Sequence, residues 1–219
     1  MKIKICGITR LEDAAIARDA GVDFLGFILY ERSPRYVESG RVREIVRELR
    51  ASSRCPILIG VFVNKSATSV ASLLNQCGLD LAQLSGEEAP AAITNPSSPI
   101  YGRSFKGIRP QTSSEARSDA ELYLPPNPAE DQPYLLLDAY HPTLRGGTGK
   151  QADWQIAAEL SHHIPRLMLA GGLNASNVGT AIKTVQPFAV DTASGVEESP
   201  GIKDPEQIRA FIQACRNAE

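Results

Sequence analysis

The 219-residue sequence has few cysteines, no long apolar run and no block of like charge, and each shortage removes a class of protein. Its four cysteines, Cys6, Cys55, Cys77 and Cys215, are far apart with no CxxC pair, and of three histidines only His162 and His163 are neighbours. That spacing argues against a disulfide framework and a zinc site, both of which need clustered ligands. No stretch is long enough to span a bilayer, and the apolar run after Lys2 and Lys4 ends by Thr9, too short for a signal-peptide core. The expectation is a cytoplasmic protein with no membrane partner. The 23 basic and 25 acidic residues are intermixed, with a net charge of −2, so no basic face is set aside for nucleic acid. A small molecule is the expected partner. Nothing in the sequence specifies an oligomeric state.

What is present is a repeated unit. Hydrophobic residues make up 42% and charged residues 22%, a globular balance. Short apolar runs recur at 3–8, 23–29, 57–63, 79–84, 104–108, 134–138, 166–170 and 188–193, and most precede a segment with helical spacing. Several runs are apolar on successive residues, as a parallel sheet covered on both faces requires. Helical stripes are clearest at Val42, Ile45, Val46 and Leu49; Ala67, Val70, Ala71 and Leu74; Val178, Ala181, Ile182 and Val185; and Ile208, Phe211, Ile212 and Cys215. Cys77 extends the second stripe by one turn, so Cys77 and Cys215 read as core. Thr9 with Glu12, Ser85 with Glu88 and Thr112 with Glu115 have capping-box spacing. Asp204 before Pro205 marks the start of the last helix. The Pro-rich segments 89–101 and 124–133 read as degraded helix ends or surface loops.

Eight βα units in this length predict an α/β fold, a single (β/α)₈ barrel over residues 1–219; a doubly wound open sheet is the alternative. A barrel builds its active site at the C-terminal strand ends. Cys6 and Gly7 stand after the first strand, Arg35 in "SPRYV" after the second, and Asn64, then Gln83 with Ser85, after the third and fourth. Asp138, Gly171 with Gly172, and Ser194 with Gly195 follow the sixth to eighth. The last two turns lie where barrels commonly bind phosphate with exposed N–H groups; the alternative is that the glycines only permit tight turns. "GGTGK" (146–150) fails the P-loop pattern at Leu144 and Gln151 and reads as a loop over the mouth.

Cys6 and Asp138, on different strands, can act as base and acid across the mouth. Read singly, Cys6 is also compatible with a buried hydrophobe, and Asp138 with a loop cap. A helix start near Thr9 would favour the Cys6 thiolate, whereas a bound anion would disfavour it. The planar fork of Arg35 suits a substrate carboxylate; its alternative is an exposed loop arginine.

"KICGIT", "GF" followed by "SPRYV", "GVFVN", "AQLSGEE", "LLLDA", "GGTGK" followed by "DW", "LAGGLN" and "PFAVDTASGVE" followed by "PGIKD" run in order from residue 4 to 204. Together they closely resemble phosphoribosylanthranilate isomerase of tryptophan biosynthesis. The resemblance implies a cofactor-free, metal-free Amadori rearrangement of a phosphorylated substrate. It implies Cys6 as general base, Asp138 as general acid, Arg35 on the anthranilate carboxylate, and Gly171, Gly172, Ser194 and Gly195 around the phosphate. The sequence departs from the family at Ser85, where histidine is usual. A related histidine-biosynthesis isomerase uses an aspartate pair, against which Cys6 argues, and a non-catalytic phosphate-binding barrel would lack the acid and base.

Overall fold

The structure, a computed structural model, describes residues 1–138 and 150–218. Among them eight parallel strands close into a barrel: β1 (Lys2–Cys6), β2 (Phe24–Ile28), β3 (Ile57–Phe62), β4 (Leu81–Leu84), β5 (Ser104–Ile108), β6 (Leu135–Asp138), β7 (Leu167–Ala170) and β8 (Ala189–Thr192). Pairing of β8 with β1, from Lys2↔Ala189 to Ile5↔Thr192, shuts the ring and excludes the open sheet. The helices are α1 (Leu11–Ala20), α2 (Ser39–Arg50), α3 (Ala67–Cys77), α4 (Ala91–Thr94), α5 (Ser113–Tyr123), α6 (Lys150–Ser161), α7 (Val178–Val185) and α8 (Pro205–Arg216). None is long and apolar enough to cross a membrane.

Alternation along the strands divides the core in two. Ile3, Ile5, Leu25, Phe27 and Leu58 join the helices in the outer layer. Phe24, Ile59, Leu81, Phe105, Leu136, Met168 and Ala189 fill the barrel itself. The predicted stripe of α2, Val42, Ile45, Val46 and Leu49, is buried throughout, each such side chain contributing about 1.5–3 kcal/mol by leaving water. Cys77 and Cys215 are buried on α3 and α8, as their spacing predicts.

Two predicted caps are realised. The Thr112 hydroxyl accepts from Glu115 N at 3.1 Å, and the Asp204 carboxylate accepts from Glu206 N and Gln207 N. The other two are corrected. α1 starts one residue later than expected, with Arg10 at its N-cap and no side-chain cap bond; Thr9 donates its hydroxyl to the Gly201 carbonyl instead. Ser85 and Glu88 cap no helix, because Pro90 precedes the four-residue α4 and Glu88 turns inward to accept from Asn64 N and Gly86 N. The same carboxylate pairs with buried Lys106 at 2.7 Å. Segment 124–133 carries no helix or strand. The expected "GGTGK" loop lies outside the described residues except Lys150, where α6 begins.

After β8 the chain makes a 3-10 helix (Ser194–Val196) and an antiparallel hairpin, β9 (Glu197–Ser199) with β10 (Ile202–Lys203). Asp13 of α1 accepts from Lys203 N at 3.1 Å and from Arg10. This clamp holds the hairpin against the start of α1.

Candidate active site

Above the apolar barrel filling, the inward positions turn polar. Lys4, two residues before Cys6 on β1, is fully buried. Its ammonium donates to Gln83 Oε1 on β4 at 2.9 Å and lies 3.1 Å from Asp191 Oδ2 on β8. Gln83 in turn donates to the Ser85 hydroxyl at 3.1 Å. Ser85 is therefore tied to this layer rather than to a helix end.

Cys6 ends β1 and is 6% exposed, so it lies between core and mouth. Gly26 on β2 makes room for it: a Cβ there would stand 2.7 Å from Cys6 Sγ and 3.2 Å from Lys4 Cε. Burial pushes the Cys6 thiol above its ordinary range; Lys4 pulls it back, Asp191 adds to the rise, and Lys203 opposes it. The positive charges beside the thiol are thus lysines, whereas the sequence pointed to a helix start at Thr9. Burial lowers the affinity of Lys4 for its proton, but Asp191 and Cys6 outweigh that and raise it overall.

Arg35 crosses directly over Gly7. Gly7 has φ +76°, and a Cβ there would stand 2.8 Å from Arg35 Cδ, so both backbone shape and the crossing arginine demand glycine. The guanidinium is forked onto Glu197 of β9, with Nε to Oε1 at 2.9 Å and Nη2 to Oε2 at 2.7 Å. Glu197 also accepts from Lys203 Nζ at 2.8 Å and from Gly201 N. Burial pushes the Glu197 carboxyl up, but the bonds from Arg35 and Lys203 outweigh it and hold the group below its ordinary range. Arg35 is therefore an oriented donor over Gly7, with the Nη1 edge outside this fork.

Asp138 ends β6 and is partly exposed, with Arg109 Nε donating to its Oδ2 at 2.9 Å from just beyond β5. Its negative charge reaches Asp191, which also acts on Cys6.

The two glycine turns meet each other. Gly171 and Gly172 have φ +104° and +65°, the left-handed region that glycine tolerates. Asn177, just before α7, donates to the Gly172 carbonyl and accepts from Asn174 N, tying this turn to the helix start. Gly195 has a different reason to be glycine: a Cβ would lie 1.9 Å from the Leu173 carbonyl oxygen. Thr192 donates to that same oxygen at 2.7 Å. Ser194 opens the 3-10 helix and is exposed at the mouth.

Sequence reasoning brought Cys6, Arg35, Asp138 and both turns to one end of the barrel but missed Lys4, Asp191, Glu197, Lys203 and Arg109. The signal for Lys4 was available in "KIKIC", where the apolar alternation leaves Lys2, Lys4 and Cys6 on the inward face. Among the described residues no group of three His, Cys, Asp or Glu side chains could hold a metal ion.

A family model described as N-(5'phosphoribosyl)anthranilate (PRA) isomerase matches residues 3–214. An N-(5'-phosphoribosyl)anthranilate isomerase of Syntrophus aciditrophicus is 42% identical over 215 residues, 98% of this chain and 87% of that protein. The crystal structure of phosphoribosyl anthranilate isomerase from Thermotoga maritima superposes with a TM-score of 0.81 at 33% identity, covering 99% of both chains. A phosphoribosyl anthranilate isomerase in complex with reduced 1-(o-carboxyphenylamino)-1-deoxyribulose 5-phosphate superposes with a TM-score of 0.79 at 31% identity, again over 99% of both. Matched in sequence and in backbone over nearly its whole length, the chain belongs to the N-(5'-phosphoribosyl)anthranilate isomerase family.

Proposed function

We propose that this chain, acting as one catalytic barrel, converts N-(5'-phosphoribosyl)anthranilate into 1-(2-carboxyphenylamino)-1-deoxyribulose 5-phosphate, a step of tryptophan biosynthesis. The observation that carries the reading is the pair Cys6 and Asp138, a thiol ending β1 and a carboxylate ending β6, at the same end of one closed barrel.

In this reading Asp138 protonates the ribose ring oxygen as the ring opens to the Schiff base. Cys6 then takes the C2' proton, giving an enolamine that tautomerises to the ketone. The steps are proton transfers within one molecule and call for no oxidant or cofactor. Each positioned acid or base is worth on the order of 10² to 10⁴ in rate. Arg35, aimed by Glu197, supplies a planar donor for the anthranilate carboxylate. The turns at Gly171, Gly172, Ser194 and Gly195 receive the phosphate on backbone N–H groups, which a positive φ at the first two helps to present.

The test is turnover of purified protein with N-(5'-phosphoribosyl)anthranilate. Cys6→Ala and Asp138→Asn are each expected to abolish product formation while the fold persists. Near-normal activity in either variant would remove that residue from its role.

A further inference from the structure

We propose that Lys4, held by Asp191 and Gln83 beneath the mouth, is a positioning residue whose fixed positive charge sustains the thiolate of Cys6.

A fully buried lysine inside a barrel is costly unless it is paired and hydrogen-bonded, and Lys4 is both. The inward positions of the barrel filling are apolar, and a buried ion pair contributes little to stability compared with hydrophobic groups of the same volume. Nor is the pair saturated as a structural device. Asp191 Oδ1 is buried and has no hydrogen-bond partner. Lys4, by contrast, is fixed on two sides, by Gln83 Oε1 at 2.9 Å and Asp191 Oδ2 at 3.1 Å. Those contacts leave it on the same face of β1 as Cys6, and both side chains crowd the space that Gly26 leaves open. Glycine at 26 thus admits the lysine stem and the sulfur side by side.

The other charges acting on the thiol are Asp191 on β8, itself reached by Asp138 on β6, and Lys203 on β10, which shares Glu197 with Arg35. Lys4 is the strongest of the groups that favour the thiolate, and Asp191 opposes it. The two halves of one ion pair therefore act on Cys6 with opposite sign, which lets single and double substitutions separate their effects.

The inference rests on Cys6 as the base, but the coupling can be read without turnover. Iodoacetamide alkylation of Cys6, followed by peptide mass spectrometry against pH, reports the thiolate directly. Lys4→Met is expected to move the alkylation limb upward by about one pH unit and slow alkylation at neutral pH about tenfold, the effect of removing a neighbouring charge. Asp191→Asn is expected to move it downward. Lys4→Met with Asp191→Asn, which leaves no unpaired charge to oppose folding, is expected to move it upward by less than Lys4→Met does. The acid limb of kcat/KM should follow the same order in the folded variants, as judged by circular dichroism. An unmoved limb in the double variant, or single variants that shift it in one direction, would overturn the role of Lys4. Turnover surviving in Cys6→Ala would instead overturn the base assignment and leave the measured coupling standing.

Discussion

Arg35 and Glu197, 162 residues apart, meet in a fork at 2.7–3.0 Å that joins the loop after β2 to the hairpin after β8. The carboxylate is almost buried and serves Lys203 as well, so one acid orients two cations, Arg35 over Gly7 and Lys203 within reach of Cys6. The guanidinium cannot swing freely, and its direction toward a ligand depends on the hairpin.

Glu197→Gln keeps the size of that side chain and removes its charge. KM for the phosphoribosylated substrate is expected to rise about tenfold, or about 1.4 kcal/mol, because a loosened Arg35 must be ordered on binding. Steady-state kinetics checks this, and an unchanged KM would show that Arg35 needs no anchor.

The same pair makes stability sensitive to acid. Glu197 is held below its ordinary range in the folded chain, so its contribution is complete above the unfolded value of about 4.3 and is lost as pH falls through the lower folded value. Melting temperatures of wild type and Glu197→Gln should differ by a constant amount from neutral pH down to about pH 5 and converge below about pH 4. A gap that widens on acidification would contradict the sign.

Gly195→Ala places a methyl where the Leu173 carbonyl now lies, at 1.9 Å. Backbone on both sides must move, so a loss of about 1–3 kcal/mol in unfolding free energy is expected, as for other overpacked sites. Because Leu173 follows Gly172, the shift passes from one turn to the other. Denaturant unfolding together with an increased KM would register both effects.

Lys106 on β5 pairs with Glu88, in the loop after β4, at 2.7 Å and lies 5.1 Å from the centre of the Tyr123 ring, with both charged side chains buried. Lys106→Met strands Glu88, and a loss of about 3–5 kcal/mol is expected. Adding Glu88→Gln should recover part of it, because the uncompensated charge is then gone. Chemical denaturation of the three proteins measures the difference.

The barrel was legible because each βα unit states its type locally. All eight predicted strands occur within two residues of their expected bounds, since runs such as "YLLLD" and "RLMLA" are apolar on both faces. The failures came where a polar side chain had more than one possible partner. Thr9 and Glu88 have capping spacing, yet each is taken by a group distant in sequence, Gly201 and Lys106. Capping is worth about 1 kcal/mol, and a buried carboxylate with an available ammonium outbids it.

The amino-acid sequence by itself determined the repeat, the closed α/β architecture it favours and the strand ends at which chemistry gathers, because period, glycine and charge are local properties. Tertiary structure alone decided which charges meet. The lysine of "KIKIC" becomes the floor under Cys6 only when β4 and β8 bring Gln83 and Asp191 around it, and Arg35 gains direction only when the chain returns with Glu197. Those contacts span 79 to 187 residues in sequence, and closure of the ring through β8 and β1 brings several of them within hydrogen-bond range.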